Sequence, residues 1–250
     1  METQSGKLED EEKYVQENSL TCKLFIQSEA TISRIAITDA QNSVRLIQEK
    51  PTEDFFKGDT GILNLRFSKT YLIVRPENLS LIPEDFYDEG SKKELESLIP
   101  GTENQYTSVI SKQGCVARYL PHEDQRFWLT ILKDAELIPT SKILINYLTD
   151  LKVKYKSILG LNIFKDSFEV VYLEESRLQF YSQLPSTTPD EFNFFLLTLF
   201  DKLNIKPALV QIYLWGNIVE GDEFFKRLAK YSRNLTFANS DFLMDAIGCE

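Results

Sequence analysis

Residues 158–181 read ILGLNIFKDSFEVVYLEESRLQFY. Three apolar runs, Ile158–Phe164, Phe168–Leu173 and Leu178–Tyr181, are separated by the turn-forming clusters Lys165-Asp166-Ser167 and Glu174-Glu175-Ser176. Short runs rich in β-branched and aromatic residues, bounded by such clusters, predict strands joined as hairpins. The stretch therefore reads as a three-stranded meander.

The segment C-terminal to the meander sets the fold class. Thr188 is a good N-cap, Pro189 suits the first helical position, and Glu191 stands three residues after the cap, as a capping box requires. Phe192, Phe195, Leu196, Leu199, Phe200 and Leu203 recur at helical spacing, and Phe194 and Leu197 widen the apolar surface beyond half the helix. Such a helix is expected to be deeply buried against a sheet. Ala208–Trp215 predicts the next strand, Asp222–Tyr231 an amphipathic helix with Phe224, Phe225 and Leu228 inward, and Leu235–Ala238 a last short strand. A meander continued by alternating helices and strands is an α/β arrangement.

The same order is legible, less sharply, in the N-terminal half. Cys22–Gln27, Ile32–Thr38 and Val44–Gln48 predict another meander, turning at Ser28-Glu29 and at Asp39-Ala40-Gln41-Asn42-Ser43. Tyr71–Arg75 and Leu79–Ile82 read as strands, and a helix is expected within Glu84–Ile99, closed by Pro100-Gly101. Tyr106–Ile110 and Cys115–Tyr119 form a further strand pair, after which Pro121 opens a helix with Phe127, Trp128, Ile131 and Leu132 on one face. Thr140 or Ser141 caps another helix, striped by Ile143, Leu144, Tyr147, Leu148 and Leu151. These signals divide the chain into a disordered acidic arm (1–19), a first half (20–138), a connecting helix (139–156) and a second half (157–250).

Composition excludes several functions. With 42% hydrophobic residues in 250, the chain has enough apolar material for a core. Its densest apolar run, Phe192–Leu203, falls short of the roughly 18–20 residues that cross a bilayer, so no membrane insertion is expected. The stretch Met1–Asn18 is charged and polar, unlike a secretory signal. Cys22, Cys115 and Cys249 are odd in number and far apart, which argues against a disulfide framework or a zinc site and fits a cytoplasmic location. A net charge of −10 disfavours nucleic acid and anionic lipid, and the one basic cluster, Lys152, Lys154 and Lys156, reads as a solvated helix end.

Catalytic constellations are scarce as well. His122 is the sole histidine, at the start of a helix where exposure is expected, and the cysteines have no nearby base. No phosphate-cradling G-x-x-x-x-G-K-[ST], no G-x-G-x-x-G and no H-E-x-x-H is present. Neither a catalytic residue nor a metal site is expected, and an enzyme is the less favoured reading. Trp215, Tyr213, Phe180 and Tyr181 lie on alternating strands, where an outward-facing set would mark a protein interface and an inward one a large aromatic core.

The duplicated order resembles the actin and hexokinase-like (ASKHA-type) superfold, in which two ribonuclease H-like halves each begin with a three-stranded meander. Leu79-Ser80-Leu81-Ile82-Pro83 followed by Phe86, and the passage Phe194 to Gly216, are similar to an uncharacterised bacterial family of unknown function with this superfold. The resemblance covers roughly residues 20 to 240.

That resemblance implies a nucleotide site between the halves only if the phosphate turns are intact, because backbone N–H groups and an Asp must approach the triphosphate and its metal. The candidate residues are Asp39 and Ser43 in the first half, Asp166 in the second, taken as the equivalent turn, and Gly216 and Asn217 at the adenosine end. Neither meander turn holds a glycine, and Gly216 stands where the family pattern has a glycine pair. The favoured expectation is thus a non-catalytic actin-like scaffold or protein-interaction module, with an unidentified protein partner or a second copy and no cofactor. The alternative is a divergent ATP-binding or ATP-hydrolysing protein using ATP with Mg.

Overall fold

The computed structural model of the chain describes residues 4–28, 31–55, 62–87, 105–152, 154–238 and 241–249. In chain order its first elements are α1 (Gln4–Asn18), β1 (Lys23–Ser28), β2 (Ile32–Thr38), β3 (Val44–Pro51), β4 (Lys69–Val74), β5 (Pro76–Pro83), β6 (Tyr106–Ile110), β7 (Cys115–Pro121) and α2 (Glu123–Ile131). Then come β8 (Glu136–Pro139), α3 (Thr140–Asp150), β9 (Ser157–Ile163), β10 (Ser167–Glu174), β11 (Arg177–Pro185), α4 (Pro189–Lys202), β12 (Gln211–Gly216), α5 (Glu223–Ala229), β13 (Leu235–Phe237) and α6 (Phe242–Ile247).

Both meanders form as the turn clusters predict, and each opens a five-stranded sheet of the same design. The strand orders are β3-β2-β1-β4-β8 and β11-β10-β9-β12-β13. In each, the first strand pairs antiparallel with the second and parallel with the fourth, and the fourth pairs parallel with the fifth. Even the irregularities match. Beside the turn from second to third strand, Ile37 and Thr38 face Leu46 and Val44, leaving Arg45 over, while Tyr172 and Leu173 face Phe180 and Leu178, leaving Gln179 over. A bulge at the same place in two sheets is a designed feature rather than a defect.

The chain splits into two compact units. The first unit comprises 1–77, 119–143 and 240–250, and the second 78–118 and 144–239. This differs from the serial division 20–138, 139–156 and 157–250 in three ways. The small sheet β5-β7-β6 belongs mostly to the second unit, and the boundary falls inside α3 rather than around it. The C-terminal segment belongs to the first unit, because Arg34 Nη1 and Nη2 donate to both carboxylate oxygens of Asp241 (2.9 and 2.6 Å) and Leu243 and Ala246 are fully buried. No local pattern foretells a fork made 207 residues apart.

In the first unit, Phe25, Ala36, Tyr71, Ile73 and Ile138 share one sheet face with Leu243 and Ala246 of α6, and Phe25 stacks on Tyr71 with ring centroids 4.7 Å apart. The acidic arm expected to be disordered is helical. Val15 of α1 is fully buried, Arg45 lies 5.1 Å from the Tyr14 ring, and Gln48 Nε2 donates to Glu12 Oε1. Packing on β3 supplies the stability that a weakly amphipathic helix lacks alone. The helix expected within Glu84–Ile99 lies largely outside the described residues, and Glu84–Phe86 form a single 3-10 turn.

In the second unit, Leu159, Leu161 and Ile163 of β9 join Phe168, Val170, Ile212 and Leu214 on the face covered by Phe192, Leu196, Leu199 and Phe200 of α4. The predicted cap holds: Thr188 Oγ1 accepts from Glu191 N–H at 3.2 Å, and Glu191 reaches back to Thr187 N–H at 2.8 Å. The helix is less buried than expected, because only one of its faces meets the sheet. Phe194 is 64% exposed and Leu197 40%. On the opposite face of the sheet, Tyr147 of α3 meets Trp215 edge-on at 5.4 Å, and a Cβ on Gly160 would stand 2.5 Å from Leu148 Cδ1. Glycine there lets α3 lie close on the sheet.

Two phenylalanines on α4 separate these faces. Phe192→Ala is expected to lower the unfolding free energy by about 3–5 kcal/mol through loss of buried area and the cavity left behind. Phe194→Ala is expected to change it by less than about 0.5 kcal/mol. Urea denaturation of both variants checks this, and equal losses would contradict the burial assigned to α4.

Candidate functional site

Open α/β sheets bind ligands beyond the carboxyl ends of their parallel strands. In the second unit these are the ends of β9 and β12, where Ile163 stands in register with Gly216. The β9–β10 turn, closed by Phe164 N–H donating to Ser167 O at 2.8 Å, places Asp166 at the same end. Three of the five nucleotide-site residues expected from the sequence, Asp166, Gly216 and Asn217, are thus gathered at one end of one sheet.

The position that a side chain on Gly216 would take is already filled. Its φ is +80°, and a Cβ there would lie 2.1 Å from Ile163 O and 2.8 Å from Asn162 Oδ1. Asn217 N–H donates to the same Ile163 carbonyl at 2.7 Å. The glycine serves a close approach of two backbone segments of the chain itself.

Behind this turn lies a polar group that the sequence pattern did not single out. Glu169 of β10 is fully buried and Asn162 of β9 is 2% exposed. Asn162 Nδ2 donates to Glu169 Oε2 at 2.9 Å, and Tyr181 Oη donates to Oε1 at 2.8 Å. Gln183 Nε2 donates to Ser167 Oγ at 3.3 Å, so the third strand of the meander contributes twice. The signal was an Asn and a Glu inside otherwise apolar strands, since a buried carboxylate persists only when its oxygens find donors.

Asp39 and Ser43 occupy a different kind of turn. Asp39 Oδ1 accepts from Gln41 N–H and Ser43 N–H, both at 2.9 Å, and Oδ2 accepts from Arg45 Nε at 2.8 Å and Nη2 at 2.5 Å. The carboxylate is 4% exposed, and Asn42 beside it takes the left-handed conformation at φ 63°. The Ser43 amide foremost, then the Arg45 guanidinium and the Gln41 amide, hold its pKa below the ordinary carboxylate value against the opposing effect of burial. Asp39 builds the Asx turn and anchors the bulge residue Arg45.

The register also separates the two turns that look equivalent in the sequence. Asp39 follows the second strand of its meander, whereas Asp166 follows the first strand of its own. Successive turns of an antiparallel meander lie at opposite ends of the sheet. The counterpart of the Asp166 turn is therefore Ser28–Thr31, of which residues 29 and 30 lie outside the described residues. There Ser33 Oγ donates to Ser28 Oγ at 3.0 Å and Gln125 Nε2 donates to Ser28 O at 2.9 Å.

The remaining singled-out residues differ in exposure. Trp215 is 5% exposed and Tyr213 9%, so this part of the aromatic set faces inward, while Phe180 and Tyr181 are half-buried. His122 is more enclosed than expected, its Nδ1 accepting from Asp124 N–H at 3.4 Å as the N-cap of α2. All three cysteines are buried and unbridged. Among the described residues no three His, Cys, Asp or Glu side chains gather as metal ligands, and no helix is long and apolar enough to cross a membrane.

Solved structures with the same architecture are distant in sequence. A Bacteroides thetaiotaomicron VPI-5482 protein described as having an actin-like ATPase fold and unknown function superposes with a TM-score of 0.77 at 15% identity, over 93% of this chain and 97% of that one. A chain of the PilM-PilN type IV pilus biogenesis complex gives 0.53 at 16% identity, over 87% and 88%. No curated protein sequence is similar enough to match. At such identities the likeness establishes the fold alone, and that fold is actin-like. Residues 11–235 match the family described as "Protein of unknown function (DUF3822)", and with most of its length so matched, the chain belongs to that family.

Proposed function

We propose that the chain is a non-catalytic actin-like platform that binds a protein partner, a second copy of itself or another chain, in the cytoplasm. One observation carries this reading. The groups at the carboxyl ends of β9 and β12 are spent on the chain's own backbone, where Ile163 O closes on Gly216 and accepts the Asn217 N–H. A phosphate loop needs free N–H donors, and Asn217 N–H is already given to Ile163. The PilM-PilN complex adds support, since there a chain of this fold assembles with another protein.

A second reading, a divergent ATP-binding or ATP-hydrolysing protein, is favoured by the convergence of Asp166, Gly216 and Asn217 at the carboxyl ends of β9 and β12. In that reading Asp166, Gly216 and Asn217 hold ATP with Mg, without Asp39 and Ser43, whose turn is not the counterpart of theirs.

Thermal unfolding of the full chain with excess Mg-ATP distinguishes the two. The platform reading expects no shift in Tm, because a ligand that does not bind the folded state cannot stabilise it. A rise of several degrees that disappears in Asp166→Ala would overturn it.

The structural roles given to Asp39 and Gly216 have their own tests. Gly216→Ala is expected to cost about 2 kcal/mol or more, from the positive φ and the close carbonyl together, with no nucleotide present. A neutral result would contradict the close approach assigned to this glycine. Because the folded pKa of Asp39 is lowered, its contribution to stability is present above the unfolded carboxyl value near about pH 4 and is lost as pH falls through the folded value. Asp39→Asn should therefore be less stable than the parent at pH 7, with the gap closing in acid; a gap independent of pH in urea titrations would contradict this.

A further inference from the structure

We infer that the outer edge of β11 is a docking strand for an extended peptide bearing an acidic side chain. The inference rests on the platform reading and names its partner class and place. β11 is the terminal strand of its five-stranded sheet, and β5 is a terminal strand of the small sheet in the same unit. Residues of both line a groove of about 740 Å³, a size typical of ligand sites. Leu79, Leu81 and Pro83 come from β5, and Leu178 and Phe180 from β11.

Terminal strands carry a row of backbone groups ready to pair with another chain. At one end of the groove the protein shows what that edge accepts. The side-chain amide of Gln113 donates from Nε2 to Ser176 O at 3.0 Å, and its Oε1 accepts from Leu178 N–H at 2.8 Å. One amide thus satisfies the carbonyl and the N–H on either side of Arg177, as the peptide groups of an added strand would. Gln113 is itself held by the hydroxyl of Thr149 at 2.9 Å, so this surrogate pairing is fixed in place. Beyond it the edge continues through Gln179, Phe180 and Tyr181 along the groove.

Charge chooses the occupant. The charged residues lining the groove are Lys112 and Arg177, both cationic, in a chain of net charge −10. Lys112 pairs with Asp150. Arg177 is exposed, and Glu175, close enough to feel its charge, is bound by Lys156 at 2.5 Å. A carboxylate on the incoming strand would meet Arg177 in a charge-assisted pair, while alternate side chains enter the apolar wall of β5. Two cations are too few to hold a nucleic acid backbone in a chain this acidic.

The test is fluorescence anisotropy of the full chain with a labelled peptide of alternating valine and threonine carrying one aspartate. Two comparison peptides replace the aspartate by lysine or methylate alternate backbone nitrogens. The expected result is saturable binding that weakens about tenfold or more with Arg177→Glu, with the lysine peptide and with the methylated peptide. Because Arg177 is exposed, that variant should fold, and the methylated peptide probes the edge without altering the protein. Absence of saturable binding, or binding indifferent to both Arg177→Glu and methylation, would overturn the assignment. So would self-association that shields the amides of β11 without peptide, which would make a second copy the occupant. Failure here with no Mg-ATP response sinks the groove alone; a Mg-ATP response sinks the platform reading beneath it.

Discussion

Strand β9 is the member on which the second unit depends. It is paired on both sides, antiparallel to β10 and parallel to β12, and Ile158–Ile163 are buried throughout. One face meets the core beneath α4, the other admits α3 at Gly160, and the final carbonyl, Ile163 O, receives Asn217 N–H. A strand buried on both faces tolerates little change in volume or polarity, because interiors are close-packed. The same demand accounts for the Asn162–Glu169 pair, in which Asn162 Nδ2 and Tyr181 Oη each donate to one carboxylate oxygen inside an otherwise apolar layer.

The first unit repeats this plan with different chemistry at its edges. Its third strand carries α1, and its bulge residue is Arg45, whose guanidinium is spent on Asp39 and Tyr14. In the second unit the bulge residue is Gln179, an uncharged side chain on a groove wall. One terminal strand thus meets α1 of its own chain, and the other is bordered by a groove and a fixed amide. The two sheets share a strand order and differ at their edges.

Much of this was legible in the sequence. Turn clusters around Asp166 and Ser176 marked the second meander, and Thr188, Pro189 and Glu191 marked the start of α4, because those signals are local and rest on backbone geometry. The Arg34–Asp241 fork, the burial of α1 on β3 and the interleaved unit boundaries were not, since each joins residues far apart in the chain. The candidate site was half legible. Gly216 and Asn217 announced a strand end, but only the register reveals that the glycine accommodates Ile163 O rather than a ligand. Asp39 and Asp166 looked alike as turn aspartates, and only strand pairing placed them in non-equivalent turns.

The platform reading rests on the carboxyl end of β9 and β12, where the Asn217 N–H is already given to Ile163 O. Hydrogen–deuterium exchange at Asn217 with and without saturating Mg-ATP tests it most directly, because a phosphate at this end must compete for the N–H now given to Ile163 O. The account predicts identical exchange at Asn217 and across 162–167 in both conditions. Slowed exchange confined to those residues in the presence of Mg-ATP would contradict it.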